Sequence, residues 1–313
     1  YRKSAGDAQW EKLSNGLPPS PQVRAIVFHP EDPKVVYAGT QRGVYKSLDQ
    51  GDSWRRMNLD EGRVVWSFKL HPRNPDVMFL GTEGSEVYKS EDGGESWQYL
   101  STIRNPDAVQ MAFPMRILGI AIDESNPEHM YAALEVGGAA HSADGGKSWK
   151  IVNKNFDGDV DLMDLHGVTM GGPGSRSAFI SNRTGVWRTE NLGETWKNLG
   201  FENFSHIKYS RGVEVAPDDP DTLYACVGLN FGSEQGGVLR STDGGESWHR
   251  FDNGVNPVST TFGVAINQLD PHQVYFCTRK GQVFGTHDGG ATWKEHALPE
   301  SAQNVKAVAC TTG

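Results

Sequence analysis

Tyr45-Lys46-Ser47-Leu48-Asp49-Gln50-Gly51-Asp52-Ser53-Trp54 reads as the end of one β-strand, a tight reversal and the start of the next. An Asp carboxylate can accept backbone N–H groups of the turn it opens, and Ser47 can do so more weakly. Gly51 supplies a positive φ that a Cβ would resist. Trp54 then seals the turn, where one indole buries ~150–250 Å². The octet Ser/Thr-x-Asp/Asn-x-Gly-x-Ser/Thr-Trp occurs six times, at 47–54, 90–97, 142–149, 189–196, 241–248 and 286–293. Its acidic or Asn position advances by 43 to 52 residues per copy. Such a period, with one Gly-rich turn per unit, signals a radial β array. Counting Trp10, seven of the nine Trp fill this slot, so Trp here is a structural staple. The fourth copy has Asn191 in place of Asp and Leu192 before Gly193, which predicts a weaker turn.

The octet, with the fuller unit Val35-Val36-Tyr37-Ala38-Gly39-Thr40-Gln41-Arg42-Gly43-Val44-Tyr45-Lys46-Ser47, resembles the Asp-box or bacterial-neuraminidase repeat over nearly the whole chain. The unit is similar to the repeats of xyloglucanases, sortilin-type receptors and photosystem-assembly propellers. The resemblance implies a β-propeller whose Asp-boxes are fold elements remote from any active site. Each unit reads as four strands, here 24–28 (A), 35–39 (B), 43–46 (C) and a strand D from the octet Trp. Pro33, Pro75, Pro127, Pro220 and Pro271 punctuate the A–B connections. Six units are complete, and a degraded C–D hairpin at 1–13 and an A-like run at 305–310 remain. The reading is an all-β, seven-bladed β-propeller with four-stranded antiparallel blades, one domain over 1–313. Its ring is expected to close by pairing the C-terminal strand A with the N-terminal strands, which removes exposed edges. A six-blade ring with two spare strands is the alternative. The seventh blade lacks a strand B and the chain starts at Tyr1, so an incomplete N-terminus is expected.

The net charge of −9 and the lack of a Lys/Arg cluster argue against nucleic acid. No apolar run approaches the ~18 residues of a membrane span. Cys226, Cys277 and Cys310 lie in strand positions without framework spacing and read as small buried hydrophobes. They point to a reducing, cytoplasmic setting. No cofactor is expected.

Aligning the Pro positions brings the A strands into register. One row is small throughout: Ala25, Ser67, Gly119, Gly167, Gly212, Gly263 and Ala307. The next is apolar, Ile26, Phe68, Ile120, Val168, Val213, Val264 and Val308, and should pack between blades. One step on, Lys69 and Glu214 stand nearly opposite and are expected to meet across the channel. The row before the small one, Arg24, Trp66, Leu118, His166, Arg211, Phe262 and Lys306, should form one mouth. Cations beside aromatics suit an anionic or polar, partly flat ligand.

The D-to-A loops open on that mouth and are the irregular part of the repeat, where a rigid scaffold usually carries function. Loop 103–116 ends in Phe113-Pro114-Met115-Arg116, and loops 156–166 and 203–211 bring Asp164, His166, His206, Tyr209 and Arg211 to neighbouring blades. An Asp two residues before a His can orient a general acid or base, making Asp164 and His166 the candidate catalytic pair. Arg24, Trp66, Arg116, His206, Tyr209, Arg211 and Phe262 are the candidate substrate-binding set. Asp157, Asp159 and Asp161 alternate as calcium ligands might be spaced, yet Leu162 and Val168 stand where an EF-hand needs Gly and Glu, so no metal is expected. Sialidase chemistry is disfavoured because the Arg-Ile-Pro motif of that resemblance is replaced by Arg116-Ile117-Leu118. The expected function is a hydrolase or lyase acting on a small polar or anionic molecule at the mouth. The alternative is a non-catalytic scaffold that binds a protein or glycan there.

Overall fold

The computed structural model describes every residue except 5, 157, 173–175, 300–301, 303 and 312–313. Among the described residues the strands form six four-stranded antiparallel sheets, each a simple meander from strand A to strand D. Blades 1 to 6 cover residues 25–56, 65–102, 116–151, 167–198, 209–250 and 261–295. Their A strands are Ala25–Phe28, Val65–His71, Arg116–Ile122, Gly167–Met170, Tyr209–Val215 and Thr261–Ile266.

The small row is in register in every blade: Ala25 pairs with Gly39, Ser67 with Gly81, Gly119 with Ala133, Gly167 with Ser181, Gly212 with Cys226, and Gly263 with Cys277. Close approach of successive A strands explains the size limit. A Cβ on Gly119 would lie 3.1 Å from the Val168 backbone nitrogen, and one on Gly167 3.5 Å from the Gly212 Cα. In the next row Phe68, Ile120, Val213 and Val264 are buried in the layers between blades.

The octets form one hydrogen-bonded device. In the first, Ser47 Oγ donates to Asp49 Oδ1 (2.7 Å) and accepts from the Gly51 amide (2.7 Å), while Asp49 accepts from the Ser53 amide and hydroxyl (2.9 and 2.5 Å). The fourth copy keeps every link: Asn191 Oδ1 accepts from Thr189 Oγ1 and the Thr195 amide, and its Nδ2 donates to Thr195 Oγ1 (each 3.0 Å). Leu192 adopts φ 58°, as does Gln50 in the first copy, where the other four copies have Gly. The Asn and Leu therefore change the donors and the backbone cost of the turn while leaving its pattern intact.

Among the described residues the expected seventh blade does not form, and the blades number six. Residues 305–310 run beside blade 6, where the Val308 amide nitrogen lies 3.6 Å from a Cβ built on Gly263, but they form no strand. Among the described N-terminal residues the strand pairing is an isolated Arg2–Glu11 bridge. The physical reason is the missing strand B: a lone A segment has no ladder partner to hold its N–H and C=O groups. The N-terminal arm bonds to the end of blade 6 and to the octet of blade 1, with Trp10 Nε1 donating to the His296 carbonyl (2.7 Å) and Arg2 pairing with Asp52 (2.7 Å).

Candidate functional site

The mouth row is shaped by β-bulges. In blades 2, 3, 5 and 6 the strand A register skips one residue, and the skipped residues are Trp66, Leu118, Arg211 and Phe262. A bulge adds a residue that owes nothing to the ladder and redirects its side chain. Blades 1 and 4 lack the bulge: the Arg24 amide donates to Gly39 O and the His166 amide to Ser181 O (both 2.9 Å).

Three cations gather over one indole. Arg24, Arg116 and Lys306 lie 4.3, 4.6 and 4.7 Å from the Trp66 ring centroid. Across the mouth Arg211 stacks on Phe262 (4.9 Å), and Phe262 tilts against Phe231, which also receives Arg279 (4.8 Å). Arg116 is bound to Glu83 (3.0 Å) and Glu135 (2.8 Å). Arg24, Arg211, Arg279 and Lys306 make no ion pair among the described residues. Burial, reinforced by Arg24, Arg211 and Arg116, pulls the Lys306 amine down to about 8 against a smaller opposing effect of Glu135. Burial and Arg116 likewise lower Arg24.

Asp164 and His166 lie beneath this surface, with side chains 8% and 1% exposed. The His166 Nδ1–H donates to the Ser210 carbonyl (2.6 Å), which leaves Nε2 facing Tyr209 Oη (3.4 Å) and Asp164 Oδ2 (3.3 Å). Burial first, then Arg211, lowers His166 to about 4, so the ring is neutral near pH 7. A neutral ring donating through Nδ1 has no proton on Nε2 to give Asp164. The lasting partner of Asp164 is therefore Arg183, whose Nε donates to Oδ2 (2.7 Å). Burial pushes the Asp164 carboxyl up, and the Arg183 guanidinium pulls it down. Asp159 caps the helical turn Val160–Met163, and Asp161 bonds Arg183 (3.1 Å); Asp157 lies outside the described residues. Among the described residues no group of three His, Cys, Asp or Glu converges as a metal site.

The structure thus brings together Arg24, Trp66, Arg116, Arg211 and Phe262. Tyr209 is buried below them and links Arg211 (3.3 Å) to His166. His206 is exposed and bonds Gln235 (3.3 Å), apart from the cations. Lys69 and Glu214 both reach water; protein packed around Glu214 raises its carboxyl and Lys69 partly opposes this, but they form no ion pair. Sequence reading assigned no role to Phe231 and Arg279. Both lie at B–C turns that open on the same mouth, so the loops joining D to A were only half of the rim.

The family model described as "Sortilin, neurotensin receptor 3" (Sortilin-Vps10) matches residues 4–105 and 236–311. Xyloglucanase Xgh74A of Acetivibrio thermocellus is 24% identical over 272 residues, spanning 72% of this chain and 32% of the enzyme. A photosystem II assembly lipoprotein Ycf48 of Synechococcus is 25% identical over 248 residues, spanning 78% of this chain and 66% of that protein. This chain therefore spans about a third of the xyloglucanase it matches. Among solved structures, the GH74 enzyme of Niastella koreensis superposes with a TM-score of 0.72 at 18% identity, covering 91% of this chain and 46% of that one. A structure titled "YCF48 bound to D1 peptide" gives 0.57 at 15% identity, covering 91% and 82%. At these identities the structural likeness establishes the propeller fold alone.

Proposed function

Taking as premise that this chain belongs to the Sortilin-Vps10 family, we propose that it is a ligand-recognition propeller whose mouth receives a carboxylate-bearing segment of an extended partner chain. The observation that carries this reading is the set of cations Arg24, Arg211 and Lys306, without an ion pair among the described residues, beside Trp66 and Phe262 in a chain of net charge −9. Guanidinium groups stacked on aromatic rings can turn their edges to a carboxylate, here in exchange for the bonds of Arg24 to Gln22 and of Arg211 to Tyr209. An extended ligand, in place of the small anion expected from sequence, fits relatives whose names concern xyloglucan and a D1 peptide. The octets act as Asp-boxes, holding the blades at the far face. The buried Asp164–His166–Tyr209 group acts as a support for Arg211 through the Tyr209 hydroxyl.

A second reading, hydrolysis of a glycan, is favoured by the xyloglucanase relatives. One calorimetric titration separates the two. Wild type and the Arg24→Ala/Arg211→Ala variant are titrated with an oligogalacturonide, a glutamate-rich peptide and a neutral xyloglucan oligosaccharide, and reducing ends are assayed afterwards. The recognition reading expects a carboxylate ligand to bind and lose about tenfold or more affinity per Arg removed. Cleavage of xyloglucan that is indifferent to both Arg would replace it with the second reading.

A further inference from the structure

Lys306 combines three circumstances seldom found together. Its amine shares the Trp66 ring with Arg24 and Arg116, and its surroundings raise the share of the neutral, nucleophilic form. Two hydrogen-bond donors at the same place, Arg24 Nε and Trp66 Nε1, are buried without an acceptor. Among the described residues the carboxylate that acts on Lys306, that of Glu135, is already bound to Arg116. The charged groups facing the amine are thus Arg24 from blade 1, Arg116 and Glu135 from blade 3, and Arg211 from blade 5. Among the described residues the amine lacks an ion-pair partner, and so does Arg24, whereas Arg116 is paired with Glu83 and Glu135.

We propose that Lys306 is a carbamylation site, adding carbon dioxide to form a carbamate anion that Arg24 and Arg211 stabilise. The amine lone pair attacks the carbon of CO2, an N–C bond forms, and one C=O electron pair moves to oxygen. The nitrogen then releases a proton to water: R–NH2 + CO2 gives R–NHCO2⁻ + H⁺. The product converts one cation of the cluster into an anion and supplies acceptors for the two unsatisfied donors. Unpaired buried donors are costly, and charge-assisted acceptors relieve them. Carbamylation would also lower the affinity of the mouth for a carboxylate ligand. It acts on the binding site proposed above but needs no ligand to be present, so the two readings fail separately.

The test is carbon-13 NMR of the full chain in labelled bicarbonate at about pH 8, the lysine's own range, with no ligand added. A carbamate resonance distinct from bicarbonate is expected, lost in Lys306→Arg, and reduced about tenfold in occupancy by Arg24→Gln. Alkyl-oxonium trapping followed by peptide mass spectrometry of wild type locates the adduct even where a variant fails to fold. No resonance in the folded wild type, a signal that survives Lys306→Arg, or an adduct trapped only elsewhere overturns the proposal.

Discussion

The two faces of this propeller use charge in opposite ways. At the octet face the side-chain bonds of Ser53, Ser96, Ser247 and Thr292 are the leading cause that holds Asp49, Asp92, Asp243 and Asp288 at about 2. Each of these carboxylates accepts from a hydroxyl and an amide inside its own turn. At the mouth Arg24, Arg211 and Lys306 have aromatic faces for neighbours and, among the described residues, no ion-paired carboxylate. The comparison teaches that the residues most abundant in a repeat are those whose bonding is complete. Groups able to act on something else lie in the row that differs from blade to blade.

The strongest way to break this contrast is to damage the octet face and look for an effect at the mouth. Trp248 is 1% exposed and stacks edge-on against Phe201. Trp248→Ala is expected to cost about 3–5 kcal/mol in denaturant unfolding, with ligand affinity of the remaining folded protein unchanged. The mouth gives the mirror image. Arg24→Ala/Arg211→Ala should abolish carboxylate binding while the midpoint of unfolding stays level or rises, because like charges have been removed. A large loss of stability there would show these Arg to be structural.

Acid tests the buried histidines. Burial is the first cause that lowers both His141 and His166 to about 4 from 6.5. Between those values the unfolded chain takes up protons that the folded chain refuses, so stability is full above about pH 6.5 and declines as pH falls towards 4. At about 1.4 kcal/mol per pKa unit, the combined loss should reach a few kcal/mol, and His141→Gln should flatten part of the slope. A profile flat over that window would mean that both rings charge in place. The smallest effect concerns the two octets without Gly at the left-handed position. Gln50→Gly and Leu192→Gly should each change stability by no more than about 1 kcal/mol, in the stabilising direction. A loss would mean that these side chains contribute packing that outweighs their backbone strain.

Much of this molecule can be read from its letters, for a physical reason. The octet needs only local bonds, and the small row needs only room, so Ser47 through Trp54 and Gly119, Gly167 and Gly212 announce themselves. The blade count misled because residues 305–310 match strand A in sequence, whereas a strand exists only where a partner pairs with it. The candidate site was half legible. Arg24, Trp66, Arg211 and Phe262 fell in one row by alignment, but so did His166, which is drawn under the surface by its bond to the Ser210 carbonyl. Phe231 and Arg279 escaped because they come from the turns between strands B and C, far in sequence from the row they join.

The bulges carry a consequence for how such a protein can change. A residue inside a ladder is constrained by a partner opposite and a neighbour on each side, so altering it disturbs a whole blade. Trp66, Leu118, Arg211 and Phe262 each occupy the place where the ladder skips a beat. They form a ring of positions that single substitutions can rewrite while the sheets beneath keep their pairing. A propeller built this way can exchange one ligand for another in small steps, each bulged blade contributing one letter to the new specificity.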